Sequence, residues 1–241
     1  MKKITAIIPA RGGSVGIPRK NIVLIDKHPL IAYSIIACKL SKKIDRIIVS
    51  TEDREIADIS KKYGAEVPFM RPPEYSKNSS RDIEFLEHFF ENVDVNEVAL
   101  IRPTTPLRDP FVMDAAVDTY FEKKDDITGL RSFNRTEITP YKLFGVKDNL
   151  CHGFFDHYNG IKDYSNYPRQ FFPDCYEANG HIDIVKKDTI QDGSTFGNKI
   201  YAFTVDEIVD IDAPFDLEIL KLQIKTNKDL LTKHLEECEN G

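Results

Sequence analysis

Over its first half the chain alternates short apolar runs with segments of helical period: TAIIP, PLIAYSIIACKL, RIIVST, REIADISKKYG and AEVPF follow one another closely. Parallel strands cannot be joined by a tight turn, so strand-length runs separated by helix-length segments are the βαβ rhythm of a parallel sheet. The rhythm predicts strands at TAIIP, RIIVST and AEVPF with helices between them. A helix over about 81–91 follows, with Ser79 and Asp82 spaced as a capping box. Next come a strand at VALIR (98–102) and a helix opened by Asp109 and Pro110 as cap and first-turn proline.

From about 128 to 176 the period breaks into aromatic, Asn-rich and Pro-containing sequence, which reads as hairpins or an excursion from the sheet. Regular signals return as strands at HIDIV (181–185), KIYAFTV (199–205) and EIVDID (207–212), followed by an amphipathic helix, FDLEILKLQI. A chain of 241 residues with 41% hydrophobic composition can bury one full core. The expected architecture is therefore a single α/β domain over 1–241, Rossmann-like, with a mostly parallel sheet flanked by helices.

A net charge of −6 argues against a surface for nucleic acid, so any phosphate site must be local. Cys38, Cys151, Cys175 and Cys238 lie far apart without a CxxC pair, as free thiols in a reducing compartment do. The apolar stretch after the basic start ends at Pro9 and Arg11, too short for a signal peptide or a membrane span. These features predict a cytoplasmic protein with no membrane partner.

The segment IIPARGGSVGIPRKN leaves the first strand at the carboxyl end of the sheet, where open α/β folds bind ligands. Gly12, Gly13 and Gly16 let the backbone curl with its N–H groups exposed, Ser14 adds a hydroxyl, and Arg11, Arg19 and Lys20 add charge. Asn21 can fix the far end of the loop. No GK[ST] closes it and the glycines do not fall as GxGxxG, so neither a P-loop ATPase nor a dinucleotide enzyme fits.

In EIVDID, Asp210 and Asp212 would share one face of a strand while Ile211 takes the other. Two such carboxylates suit Mg²⁺, which takes one or two carboxylates and completes its shell with water and phosphate oxygens. The competing reading makes Asp212 the cap of the helix that begins near Pro214. His152 and His157 lack a third ligand at a known spacing, which disfavours zinc. The aromatics Phe154, Phe155, Tyr158, Tyr164, Tyr167, Phe171 and Phe172 suit a dimer contact better than a cofactor box, and His181 suits local packing.

Taken together, these segments resemble the CMP-sialic acid synthetases (acylneuraminate cytidylyltransferases) and their relatives acting on legionaminic and pseudaminic acids. IPARGGSVGIPRKN resembles the family's nucleotide loop and RPTTPLR its QPTSPLR; YPRQFFPDCYEANGHIDI resembles its PRQ followed by NGAIYI, and IVDIDAPFDLE its SIDID with helix. The resemblance runs over nearly the whole chain and implies a GT-A-like nucleotidyltransferase that joins CMP from CTP to the anomeric hydroxyl of an acidic nine-carbon sugar. It implies that Arg11, Gly12, Gly13, Ser14, Lys20 and Asn21 hold the CTP phosphates, that Arg71, Ser79 and Ser80 lie around the cytidine, and that Asp210 and Asp212 hold Mg²⁺. It further implies a homodimer through the 128–176 excursion. Lys142, Arg169 and Gln170 would reach the acidic sugar, the first two in the partner's site, with Arg102, Thr104 and Asn179 beside it.

Two positions depart from the family pattern. Val15 stands in place of a lysine, and Arg102 in place of a glutamine. Arg19 is expected to restore the missing loop charge, and Arg102 either tunes the acceptor or anchors the turn that follows it. Other acceptors, 3-deoxy-octulosonate or a sugar 1-phosphate, are the alternative enzyme readings. The octulosonate enzymes carry a loop nearer RYxSxRLPGK, and a binding homologue without catalysis is a further alternative.

Overall fold

The computed structural model describes residues 2–205, 210–226, 231 and 234–235. Strand β1 (Ile4–Pro9) leads through a loop and a 3₁₀ turn to a short pair, β2 (Leu24–Ile25) and β3 (His28–Pro29), then to α1 (Leu30–Leu40), β4 (Ile44–Ser50) and α2 (Arg54–Lys62). After them come α3 (Asp82–Asn92), β5 (Glu97–Leu100), α4 (Pro110–Lys123) and β6 (Gly129–Thr136). The hairpin β7 (Phe144–Lys147) and β8 (Leu150–Gly153), the long β9 (Cys175–Lys186), α5 (Lys187–Gln191), β10 (Ile200–Thr204) and α6 (Pro214–Thr226) complete the order.

Six strands form the central sheet in the order β10-β6-β9-β5-β1-β4. β1 pairs in parallel with both β4 and β5, and β10 in parallel with β6, whereas β9 runs antiparallel between β5 and β6. The chain leaves β1 for β4 on one side and β5 on the other, so a crevice opens beyond the carboxyl end of β1, the position at which such sheets bind ligands. β1 is buried almost throughout because helices cover both faces. α1 is apolar on all sides and buries Leu30 through Cys38. Asp53 caps α2, its side chain accepting the N–H of Ile56 at 3.1 Å.

Four sequence expectations are corrected. AEVPF makes only one bridge, Glu66 to Ile48, because Pro68 cannot donate to a ladder and the chain turns away. The helix after Ser79 starts at Asp82, and its box is closed by Glu84, whose carboxylate accepts the N–H of Arg81 at 3.3 Å. Within EIVDID, residues 207–209 lie outside the described residues. Asp210–Asp212 is not a strand, since the Ile211 N–H donates to the Thr104 carbonyl at 2.8 Å in a loop contact. Finally, residues 129–136 belong to the sheet, so the chain leaves it only over 137–174.

Across that excursion Tyr141 stacks on Phe172 at 5.2 Å and 12° and lies 4.5 Å from Tyr158. Around this small aromatic core, Leu143, Phe144, Val146, Leu150 and Phe154 are exposed. Among the described residues no helix is long and apolar enough to cross a membrane.

Candidate active site

Arg11, Ser14, Val15, Gly16, Lys20 and Asn21 from the loop after β1 line a cavity of about 510 Å³ at the crevice. Arg71, Tyr75, Lys77, Asn78, Ser80, Asp82 and Phe85 close a second side, and Arg102, Thr104, Asp210 and Asp212 a third. The loop is held from within: the Asn21 amide donates to the Arg11 carbonyl at 2.8 Å, and Arg11 donates to the Lys77 carbonyl at 2.7 Å. Gly12 donates its N–H to Glu52 at 2.7 Å, and a Cβ there would meet the Asp53 carboxylate at 2.6 Å. A Cβ at Gly16 would collide with the Asp212 carbonyl, so the loop and the acidic segment touch backbone to backbone.

Lys20 joins the two halves. Its ammonium donates to the Ile211 carbonyl at 2.7 Å and to Asp212 at 2.9 Å. Burial and the neighbouring Asp212 push the Asp210 carboxyl up, against the lowering effects of Thr104 and Lys20. The Asp212 carboxylate does not cap α6: Asp216 does so, accepting the N–H groups of Asp212 and Ala213 at 2.8 and 2.7 Å. No cluster of three or more metal-ligating side chains occurs among the described residues. A pair of carboxylates beside cations is nevertheless the donor set Mg²⁺ uses when phosphate oxygens complete its shell.

Arg71 is buried against Ser50, its Nε donating to the hydroxyl at 3.0 Å, and its guanidinium lies 4.9 Å from the Phe85 ring. Burial pushes Arg71 down to about 10. Arg102 donates to Asp82, which is how the first residue of α3 comes to face the cavity. Behind it Arg108 is fully buried and donates to the carbonyls of His181 at 2.7 Å and Gly180 at 2.9 Å and to the Ser34 hydroxyl at 2.7 Å.

Not every expected residue reaches this cavity. Arg19 does not supply its charge to the loop: at φ 54° its side chain leaves toward α2 and pairs with Asp53 at 2.9 Å and Glu55 at 2.7 Å. The position of Val15, 74% exposed, is thus not offset by Arg19. Ser79 is exposed beside Ser80, and Asn179 lies buried behind the wall with its carbonyl accepting from Thr105 at 3.1 Å. In the excursion, Lys142 and Gln170 are exposed, and Arg169 donates to the carbonyls of Glu137 at 3.1 Å and Pro173 at 3.2 Å. None of the three lines this chain's own cavity. Tyr75, Lys77, Asn78, Asp82 and Phe85 join the wall unanticipated; the run YSKNSSRD before a helix was the signal for the first four.

The sequence profile described as cytidylyltransferase matches residues 5–152. The chain belongs to the cytidylyltransferase family. It is 32% identical to the N-acylneuraminate cytidylyltransferase of Escherichia coli O18:K1:H7 over 94% of its own length, and spans about half (53%) of that relative. It is 29% identical to the CMP-N,N'-diacetyllegionaminic acid synthase of Legionella pneumophila, covering 95% of this chain and 99% of that one. Its fold is similar to that of a CMP:2-keto-3-deoxy-manno-octonic acid synthetase complexed with CTP, with a TM-score of 0.70 at 16% identity, covering 93% and 99% of the two chains. That likeness identifies a nucleotidyltransferase fold.

Proposed function

We propose that the chain transfers CMP from CTP to the anomeric hydroxyl of a sialic-acid-like nonulosonic acid and releases pyrophosphate. The observation that carries this reading is the meeting of a cationic loop with an acidic pair in one cavity at the carboxyl end of β1, bridged by Lys20. The relatives named for N-acylneuraminate and diacetyllegionaminic acid supply the acceptor class.

Arg11, Ser14, Lys20 and Asn21 hold the triphosphate, and Arg71 with Ser80 borders the cytidine. The acceptor's own hydroxyl is the nucleophile. Its oxygen bonds to the α-phosphorus as the bond to pyrophosphate breaks, so the protein's work is to align the two substrates and to stabilise charge on the phosphoryl oxygens. Lys20, 2.9 Å from Asp212, is free to exchange that carboxylate for an α-phosphate oxygen. Asp210 and Asp212 would hold Mg²⁺, whose charge when bound neutralises the triphosphate.

The acceptor side takes Arg102 and Thr104 from this chain. Lys142 and Arg169 come from a second copy docked through the exposed apolar side chains of the excursion, which makes the working unit a homodimer. Free thiols at Cys38, Cys151 and Cys175 agree with a cytoplasmic setting.

Pyrophosphate release with each of CTP, GTP, ATP and UTP against acidic 2-keto sugars and Mg²⁺ tests the reading. Release confined to CTP with a nonulosonic acid is expected. Preference for another nucleotide with a sugar 1-phosphate would overturn it.

A further inference from the structure

Arg102 lines the cavity, yet its surroundings are not those of an anion receptor. Its guanidinium donates to Asp82 Oδ2. Burial lowers the guanidinium, and the carboxylates of Asp82, Asp183 and Asp210 outweigh that effect and raise it. Asp183 is 1% exposed; its Oδ1 accepts the Ser132 N–H at 3.3 Å and lies 3.8 Å from Arg131, while its Oδ2 has no hydrogen-bond partner among the described residues. Gly180, at φ +65°, leaves the room: a Cβ there would stand 3.0 Å from Arg102 Cδ. The guanidinium is thus clamped between β9 and α3, and its charge is neutralised before any substrate arrives. What this corner presents to the cavity is the Asp82 carboxylate, whose side chain is 35% exposed and has only Oδ2 engaged by Arg102.

We propose that Asp82, oriented by Arg102 with Asp183 behind it, is a specificity-determining residue that accepts a hydrogen bond from one hydroxyl or amino substituent of the acceptor sugar. The proposal rests on the reading above that the cavity receives an acceptor beside CTP. An ionised carboxylate only accepts, so its complement is a donor. An anionic substituent here would face Asp82, Asp183 and Asp210 together, so the acceptor's own carboxylate sits elsewhere. A site built to accept from a donor discriminates strongly against analogues that lack it, because its charged group is left desolvated and unpaired.

Acceptor analogues in which each hydroxyl or amino group is replaced in turn by fluorine, which cannot donate, test this with the unaltered protein, Asp82→Asn and Asp82→Ser. One analogue is expected to lose at least about tenfold in kcat/KM with the unaltered protein and less than about twofold with both variants, as loss of a charge-assisted hydrogen bond requires. The proposal is overturned if no analogue shows the loss, or if the loss persists undiminished in both variants. It is also overturned if the same coupling appears with 2′- or 3′-deoxy-CTP, which would assign the carboxylate to the nucleotide. If the unaltered protein turns over no acceptor with CTP, the cytidylyl-transfer reading itself fails, and this proposal with it.

Discussion

Lys20 and Arg19 are adjacent cations with opposite fates, and the backbone decides between them. The left-handed conformation at Arg19 turns its side chain to Asp53 and Glu55, whereas Lys20, at the start of a 3₁₀ turn, points to Asp212. Losing a charged contact to phosphate costs about 1.5–3 kcal/mol, so Lys20→Ala should lower kcat/KM for pyrophosphate release about ten- to a hundredfold, and Arg19→Ala less than about threefold. Equal losses would place both charges on the phosphates. The glycines and charges made the loop and Lys20 legible in the sequence, whereas the two aspartates were expected on a strand and reach the cavity from a loop. Spacing could not give the direction of Arg19, which depends on one φ angle, or the partner of Asp82, which local sequence offers to a helix cap. A second prediction concerns His181, which burial, then the charge of Arg108, pushes down to about 3. Its unfolded value is near 6.5, so between about pH 6.5 and 3 the unfolded chain binds the extra proton and stability falls with pH, by up to about 1.4 kcal/mol per unit. Denaturant titrations at pH 7 and 4.5 should show a smaller loss of stability for His181→Gln than for the unaltered chain; an identical loss would mean that His181 is not buried neutral.

Among the elements, the parallel half was legible because β1, β4 and β5 are apolar runs separated by helical segments of crossover length. β9 was only partly legible. HIDIV marks its buried end, but the strand extends back to Cys175 and runs antiparallel, because it returns from the excursion rather than from a crossover helix. Arg108 ties the β5–α4 connection to β9 by donating, fully buried, to the carbonyls of His181 and Gly180, and burial pushes its guanidinium down to about 10. Arg108→Leu should cost about 3–5 kcal/mol in urea denaturation, since it strands the carbonyls of Gly180 and His181; a cost under about 1 kcal/mol would show that β9 holds its place without it. The contact between the loop and the 210–213 segment is as tight. Gly16→Ala should separate Lys20 from Asp212 and lower kcat/KM at least about tenfold while leaving the thermal midpoint within a few degrees.

For the whole molecule, the charge distribution follows from the placement of the elements. A chain of net charge −6 gathers Arg11, Lys20, Arg71, Lys77 and Arg102 around one cavity, so its positive charge is concentrated locally. The excursion has the opposite character, with Phe144, Val146 and Leu150 exposed on a hairpin that packs little against its own sheet. If this face joins two copies, Val146→Asp should shift the sedimenting species from dimer to monomer and reduce turnover; an unaltered dimer would place the interface elsewhere. The excursion's outline was visible in the sequence as lost periodicity, but its pairing was not, because aromatic clusters carry no register. Whether this cavity joins CMP to an acidic sugar can be read by phosphorus NMR of the protein with CTP, Mg²⁺ and a nonulosonic acid. One new phosphodiester resonance is expected to appear in step with inorganic pyrophosphate and to be suppressed in Lys20→Ala. Pyrophosphate without the phosphodiester, or equal product from Lys20→Ala, would contradict it.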